Sequence, residues 1–497
     1  MKDNLIKVKK FVEKHDEIFV TILIFIMSLG YSLYVKTCVG DEVWNFQNIY
    51  KMYNGYKIYV DANVITTPVF HCIGALAFKI FGANFFVFRM YSQITFTIFF
   101  MEIYKIFKYL KIDKKNAFFL LIIFFALQQD LIMASANYNT LSIIFYVFAV
   151  MVVLNKENIK GYVLIESILL TLIILTKQNI GVFYLIGLIL YTILNKKELK
   201  NTIKIIGITG IFGILFVLIL YFNNILEGFI SYAILGIKEF SKENKTVGYF
   251  AIYATFMAII NGLLLIYTNS NDKFKKRKER KTINNIACFA YPLLGMSYPI
   301  FNGSHIKFAL VIQYVLLFYI LYLLMKESKF EKNKIKNYIF FVLEVLIMGY
   351  YLINSIIYIR GTFNKVLSDK YNYKYNEPYF GTIFNDETEE KIKKVTEYMK
   401  KENNDFIYIS SDAALYMIPL KQSNKEFDLL LLGNLGKEGE NGVIEKIKEV
   451  KGKKKILMNK EKFCWQESDK VIEFVKNNFT NVGEIKIGEI EDILIYE

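Results

Sequence analysis

Residues 18–45 read IFVTILIFIMSLGYSLYVKTCVGDEVWN and join an apolar run, Ile18–Val35, to two adjacent carboxylates, Asp41 and Glu42. A helix that crosses about 30 Å of hydrocarbon needs about 17–25 apolar residues, so the run predicts a first membrane span. Lysines precede it, but no small-residue cleavage site follows, so we expect an uncleaved span and not a signal peptide. The two carboxylates at its end are either a solvated helix end or a general base that faces a substrate.

The composition indicates an integral membrane protein with a soluble part. Of the 497 residues, 54% are hydrophobic and 22% are charged, which is too apolar for a soluble enzyme and too charged for membrane spans alone. The formal net charge of +15 falls in short blocks between apolar runs, which argues against a nucleic-acid partner. Four scattered cysteines have no zinc, iron–sulfur or disulfide spacing.

In total, about eleven apolar runs meet the length criterion for a membrane span, and the first run is one of them. They lie at about 18–35, 85–106, 117–134, 138–154, 161–176, 180–194, 203–222, 248–267, 284–301, 306–325 and 337–357. The shorter apolar stretch Thr67–Phe81 is assigned to a re-entrant or interfacial helix, because counting it as a span would invert every later loop.

The charges of the loops predict the orientation in the membrane. Six loops on one side hold twenty-six lysines and arginines, and the opposite loops hold nine. Basic residues concentrate in cytoplasmic loops, so we expect a multi-pass cell-membrane protein with a cytoplasmic N-terminus and an extracytoplasmic C-terminus.

The predicted fold is mainly α: a polytopic bundle of about eleven spans followed by a small extracytoplasmic α/β domain. Residues 1–358 form the membrane domain, with a long first external loop at about 36–84 that carries an amphipathic helix from Trp44 to Tyr53. Residues 359–497 have ordinary soluble character. Within them, helices are predicted at 389–401 and 471–477, and strands at 406–409 and 455–458.

Charged residues in or beside spans are costly and are therefore functional candidates. Those expected on the outer side are Asp41, Glu42, Arg89, Asp130, Lys177, His305, Lys307 and Arg360. Carboxylates and cations at one level can transfer a group from a phosphate, because a carboxylate accepts the proton of the attacking hydroxyl and cations hold the anionic leaving group.

Structural explanations stay open for these residues. Asp41 and Glu42 are suited to the start of the amphipathic helix, since acidic residues are favourable there. Arg89 is placed where a side chain can reach the interface from within a span. Asp130 fits an interfacial cap, and His305 with Lys307 fits the cap of a loop. Lys177 has the weakest structural explanation, because it breaks a helical pair on the lysine-poor side.

The order of these parts resembles a known family. A basic N-terminus, one span, the Asp41–Glu42 pair and an amphipathic helix precede the segments TTPVF at 66–70 and FKIFGAN at 78–84, and the segment TKQNIG follows at 176–181. This order is similar to the GT-C superfamily of polyprenyl-phosphate-sugar glycosyltransferases, in the branch with protein O-mannosyltransferases and the bacterial aminoarabinose transferase of lipid A. The resemblance covers about residues 1–195 well, and the order of the motifs carries it.

The resemblance implies an inverting, lipid-phosphate-sugar-dependent glycosyltransferase. The donor would be a sugar on a polyprenyl phosphate, and the acceptor a glycan, lipid or protein of a bacterial cell envelope. It implies that Asp41 acts as the general base or positions the acceptor, with Glu42 as its neighbour, and that Lys177 binds the donor phosphate. The predicted phosphate site also includes His305, Lys307, Arg89 and Arg360, on the basis of their charge alone. Asp130 is a candidate contact for the acceptor or for a metal ion. Some superfamily members use a divalent metal, but the chain has no clear DxD pair, so no metal ligand is assigned.

Two other function classes compete with the enzyme. A polytopic transporter or lipid flippase would also have many spans, but its halves would show matching repeats, and none is found between these halves. A non-catalytic envelope scaffold would use its external domain for binding. The latter predicts that Asp41→Asn leaves activity in cells unchanged, whereas the enzyme requires that carboxylate.

Overall fold

The computed structural model describes most of the chain, in twelve segments. They are residues 15–34, 37–128, 137–238, 248–271, 278–298, 303–327, 334–367, 373–382, 384–402, 406–424, 427–487 and 491–497. The chain divides into two compact units. Unit 1 comprises residues 1–34, 89–212 and 246–370, and unit 2 comprises residues 35–88, 213–245 and 371–497.

Each of the eleven predicted spans has a helix in the structure, which confirms the mainly helical fold. These helices are α1 (Asp16–Tyr34), α4 (Phe85–Tyr109), α5 (Lys114–Leu127), α6 (Tyr138–Leu154), α7 (Tyr162–Thr176), α8 (Gln178–Leu194), α9 (Leu199–Phe222), α10 (Tyr249–Ser270), α11 (Lys278–Leu293), α13 (Val311–Glu327) and α14 (Lys334–Leu367). Within the described residues, four helical stretches are long and apolar enough on their own to cross a membrane: Asp16–Tyr34, Lys196–Phe222, Phe250–Ser270 and Tyr338–Thr362.

Local sequence explains where several of these helices begin. The Asp113 side chain accepts a hydrogen bond from the backbone N–H of Asn116 and caps α5. Asn137 caps α6 in the same way, through the N–H of Thr140. Such caps satisfy N–H groups that have no partner inside the helix.

Unit 1 is held together by close helix packing around an aromatic core. At Gly30 of α1, an added Cβ would lie 2.1 Å from the carbonyl oxygen of Ser355 on α14. The Gly30 N–H donates to Ser355 Oγ at 2.8 Å, and that hydroxyl donates to the Ile26 carbonyl at 2.6 Å. Small residues let apolar helices approach and exchange such bonds, so α1 and α14 form a tight pair.

Unit 2 combines the first-loop helices with a small sheet. The helices are α2 (Asp41–Tyr53), α3 (Val69–Phe81), α15 (Asp386–Lys401), α16 (Ala414–Leu420), α17 (Gly439–Val450) and α18 (Asp469–Asn478), and the strands are β1 (Phe406–Ile409), β2 (Lys455–Asn459), β3 (Asn481–Ile487) and β4 (Glu491–Tyr496). The strand order is β1-β2-β4-β3, in which β1 and β2 run parallel and the other pairs antiparallel. The helices predicted at 389–401 and 471–477 and both predicted strands are present.

The α3 helix corresponds to the apolar stretch that was kept out of the span count. Its 13 residues extend about 20 Å at about 1.5 Å per residue, which is shorter than the hydrocarbon layer. It packs on α2 through Phe78, whose ring centroid lies 5.2 Å from that of Phe46. The interfacial placement of α3 stays a prediction.

The predicted domain boundary at residue 359 stays a prediction. Helix α14 continues past it to Leu367. Residues 35–88 of the first loop group with residues 371–497. Backbone pairing contributes to this grouping, because the N–H groups of Phe85 and Phe86 donate to the carbonyls of Pro378 and Phe380, each at 2.9 Å.

Candidate active site

Asp41 is the first residue of α2 and does not cap it. The N-cap position is Gly40, which makes no side-chain hydrogen bond. The Asp41 carboxylate is accessible to solvent and has no hydrogen bond or ion pair with any other described residue. Burial in its surroundings nevertheless raises the pKa of this carboxyl above its ordinary value. An accessible, unengaged carboxylate with a raised pKa is suited to accept a proton.

Glu42 is placed differently from its neighbour. Its side chain is buried, and Oε2 accepts a hydrogen bond from the backbone N–H of Cys38 at 3.0 Å. That bond ties the start of α2 to the preceding turn, as an acidic side chain in a first helical turn commonly does. Glu42 therefore holds the segment that carries Asp41.

Buried amides continue the face of α2 that begins at Asp41. Asn45 and Asn48 follow at the helical spacings i+4 and i+7, and each is 2% exposed. Asn45 Nδ2 donates to the Asp41 carbonyl at 2.8 Å. Several buried polar atoms have no hydrogen-bond partner in the described part of the chain: Oδ1 of Asn45, Oδ1 and Nδ2 of Asn48, and Nε1 of Trp44. Such unmet capacity is costly without a ligand or water and marks a place for a polar ligand.

A buried ion pair fixes the other end of α2. Lys51 Nζ pairs with the carboxylate of Asp428 and also donates to the Asp61 carbonyl at 2.9 Å. Asp428 Oδ1 accepts from Gln47 Nε2 at 3.3 Å and from the Asn424 N–H at 3.1 Å. Lys51 is 3% exposed and Asp428 is fully buried. Removal of one member would leave a buried charge uncompensated, which is strongly destabilising.

The segment around Asp428 also holds the second half of the first loop. Asn63 Nδ2 donates to the Leu429 carbonyl at 2.8 Å, and the Ser423 hydroxyl donates to the Asp61 carbonyl at 2.6 Å. Ser423, Asp428 and Leu429 thus contact both α2 and the segment that follows it. We name this set of contacts, centred on Lys51 and Asp428, the loop anchor.

Lys177 lies at the junction of α7 and α8 in unit 1. Its Nζ donates to Oδ1 of Asn139, a buried residue in the first turn of α6, and lies 5.4 Å from the ring centroid of Tyr138. Burial lowers the pKa of Lys177 to about 7. A cation held by an amide and an aromatic face keeps the capacity to bind an anion.

His305 and Lys307 lie on the short helix α12 (Gly303–Ala309). Burial, and then the charge of Lys177, lowers the pKa of His305 to about 3, so its imidazole is neutral and near Lys177. The Lys307 carbonyl accepts a long hydrogen bond of 3.5 Å from Gln128 Nε2. The structure therefore brings Lys177 and His305 together and adds Asn139, while Lys307 shares a helix with His305.

The remaining predicted site residues are Arg89, Arg360 and Asp130. Arg89 is 2% exposed, and its Nη1 donates to the Leu33 carbonyl at 3.0 Å, which secures the end of α1. Arg360 is exposed near the end of α14. Asp130 lies outside the described residues. Among the residues that are described, no three histidine, cysteine or acidic side chains are close enough to hold a metal ion, so no metal ligands are assigned.

Sequence reasoning missed the amides of α2, Asn139 and the loop anchor. The amide spacing from Asp41 was a usable signal, because i+4 and i+7 residues share a helical face. No local signal pairs Lys51 with Asp428, since 377 positions separate them and only the folded chain brings them together.

A family model matches part of the chain. Residues 66–222 match the family model described as dolichyl-phosphate-mannose-protein mannosyltransferase. No curated protein sequence matches the chain.

Two solved structures share the fold over nearly the full length. ArnT from Cupriavidus metallidurans bound to undecaprenyl phosphate is 10% identical, with a TM-score of 0.58, over 96% of this chain and 97% of that chain. The apo state of the same protein is 11% identical, with a TM-score of 0.56, over 98% of each chain. At such identities the similarity shows the fold alone.

Proposed function

We propose that this protein is a membrane glycosyltransferase of the GT-C superfamily. It transfers a sugar from a polyprenyl-phosphate donor to a hydroxyl of a cell-envelope acceptor on the outer face of the membrane. The donor class is supported by the mannosyltransferase family match and by the undecaprenyl phosphate bound to ArnT, which shares the fold. The outer location is supported by the distribution of basic residues among the loops.

The reaction is a single displacement that inverts the anomeric carbon. The acceptor oxygen forms a bond to that carbon while the bond from the carbon to the phosphate oxygen breaks. The hydroxyl proton passes to the Asp41 carboxylate, and the bonding electrons leave with the polyprenyl phosphate. Since the leaving phosphate gains negative charge in the transition state, a cation that contacts it stabilises the transition state more than the ground state.

Lys177 supplies that cation in this proposal, and the neutral His305 donates a hydrogen bond to the same phosphate. Lys307, Arg89 and Arg360 are weaker candidates, because Arg89 already holds the Leu33 carbonyl and Arg360 is exposed. Asn45 and Asn48 bind hydroxyl groups of the sugar or acceptor through their unmet amide atoms.

The single observation that carries the proposal is the state of Asp41: accessible, without a bonding partner among the described residues, and with a raised pKa. We expect Asp41→Asn to lower kcat about 100- to 10,000-fold, the usual contribution of a general base. The measurement is transfer from a synthetic polyprenyl-phosphate sugar by the purified full-length protein.

Asp61→Asn is the matched control in the same loop. Among the described residues, the Asp61 carboxylate accepts a hydrogen bond from the Lys57 N–H alone, at 2.7 Å, and an amide oxygen can accept the same bond. It should retain activity. Normal transfer by Asp41→Asn at wild-type protein levels would reject the assignment of the base.

A further inference from the structure

A basic cavity of about 950 Å³ lies in unit 1, away from Lys177 and His305 in the chain. It forms where the connection between α6 and α7, the connection between α8 and α9, and the first turns of α11 meet. All three belong to loops that the basic-residue count assigns to the cytoplasmic side.

The cavity carries more positive than negative charge. Five cations line it, and so do two carboxylates, Glu157 and Glu198. Glu198 is already engaged: it pairs with Lys156 and accepts from Tyr162 at 2.9 Å and from Asn201 at 3.1 Å.

The four remaining cations are Lys196, Lys197, Arg280 and Lys281. None has an ion-pair partner within the described ranges. Cations from two separate segments that face one cavity and form no ion pair with a described residue are suited to a multivalent anion such as a phosphate.

Hydrogen bonds between the segments shape the cavity before any ligand binds. Asn195 Nδ2 donates to Asn285 Oδ1 at 2.9 Å and so joins the α8–α9 connection to α11. Asn284 exchanges two hydrogen bonds of 3.1 Å with Asn269 of α10. In a preformed site, the free-energy cost of ordering side chains on ligand binding is smaller.

Apolar side chains border the same cavity. Ile193 and Leu194 line it and are 61% and 59% exposed, directly before Lys196 and Lys197 in the chain. Inorganic phosphate does not contact apolar side chains beside the cations. A phospholipid contacts both, because its phosphate binds the cations and its acyl chains pack on the apolar side chains.

We propose that this cavity binds an anionic phospholipid of the cytoplasmic leaflet. The phosphate of the headgroup contacts Lys196, Lys197, Arg280 and Lys281, and the acyl chains begin along Ile193 and Leu194. The site is separate from the residues proposed for transfer, so it stands whether or not Asp41 is the base.

The test measures binding of phosphatidylglycerol and of zwitterionic phosphatidylcholine to the delipidated full-length protein in detergent by native mass spectrometry. Near a membrane surface each lysine or arginine contributes about 1 kcal/mol, which is roughly fivefold in affinity. The variants Lys196→Gln/Lys197→Gln and Arg280→Gln/Lys281→Gln should therefore each bind phosphatidylglycerol roughly 25-fold more weakly, with little change for phosphatidylcholine.

The matched control is Lys200→Gln/Lys204→Gln, which removes the same charge from exposed positions of α9 that do not line the cavity. It should bind phosphatidylglycerol like the wild type. Equal weakening in the control, or equal binding of both lipids by the wild type, would overturn the site. Displacement of phosphatidylglycerol by millimolar inorganic phosphate would assign the cavity to a soluble phosphate compound and overturn the lipid. Because the two double variants alter different segments, misfolding of one leaves the other to decide.

Discussion

At the scale of single residues, burial acts in opposite directions on the two groups proposed for catalysis. It raises the pKa of Asp41 and lowers the pKa of Lys177 to about 7. In each case a low-polarity environment disfavours the charged form. The Asp41 carboxylate becomes a stronger base than an aspartate with an ordinary pKa, and the Lys177 ammonium becomes a cation that an incoming phosphate stabilises.

These directions predict a bell-shaped dependence of kcat/KM on pH. Asp41 must be deprotonated to act as a base, so the rate falls as pH drops through its raised pKa. Lys177 must be protonated to hold the phosphate, so the rate also falls as pH rises above about 7. The limbs belong to the free enzyme and are therefore read from kcat/KM.

Lys177→Arg supplies the control, because arginine stays protonated throughout this range. It should remove the alkaline limb and leave the acid limb in place. An alkaline limb that persists in this variant belongs to another group and contradicts the role of Lys177.

At the scale of secondary-structure elements, the loop anchor holds the helix that presents Asp41. Lys51→Met should destabilise unit 2 by about 3–5 kcal/mol, because it leaves Asp428 as a buried, uncompensated charge. We expect a lower midpoint of thermal unfolding, faster proteolysis of the first loop and a fall in kcat greater than any change in KM.

The double variant Lys51→Met/Asp428→Leu tests that cause, since removal of both charges should recover much of the lost stability. Lys437→Met is the matched control in unit 2, because Lys437 is exposed and 3.9 Å from Glu438, a surface pair worth about 0–1 kcal/mol. A double variant no more stable than Lys51→Met would count against the anchor.

The pairing of α1 and α14 yields another prediction at this scale. Gly30→Val forces a side chain into the Ser355 backbone, where a Cβ would lie 2.1 Å from the carbonyl oxygen. We expect a loss of at least about 1–3 kcal/mol, seen as a lower unfolding midpoint in detergent. Gly210→Val makes the same substitution in α9 where nothing lies within 4 Å of the new Cβ, and it should be nearly neutral by comparison.

At the scale of the whole molecule, the orientation in the membrane decides which reactions the protein can perform. The loop charges predict that the first loop faces outward and the start of α11 faces the cytoplasm. In a background without the four native cysteines, a membrane-impermeant maleimide should label Val60→Cys in intact cells, because that position is 46% exposed. Lys278→Cys, also exposed, should react only after permeabilisation. The reverse pattern would reject the proposed topology and, with it, transfer on the outer face.

The positions of the long helices could be predicted from the sequence, because a local run of about twenty apolar residues is enough to identify each one. The end of α2 at Tyr53 and the strands at 406–409 and 455–458 were also local, because helical and strand patterns are visible within a few residues. The start of α2 was not: the helix begins at Asp41, three residues before the predicted Trp44.

Other features depended on residues far apart in the chain, and only the tertiary structure decided them. It paired Lys51 with Asp428, joined Lys177 to Asn139 and placed Gly30 against Ser355. It also distinguished two adjacent carboxylates. Glu42 is buried and bonded to Cys38, while Asp41 is accessible and keeps its carboxylate unengaged among the described residues. In the sequence the two are neighbours of similar chemistry, but 100° of rotation along a helix gives each a different environment, and the environment sets what a carboxylate can do.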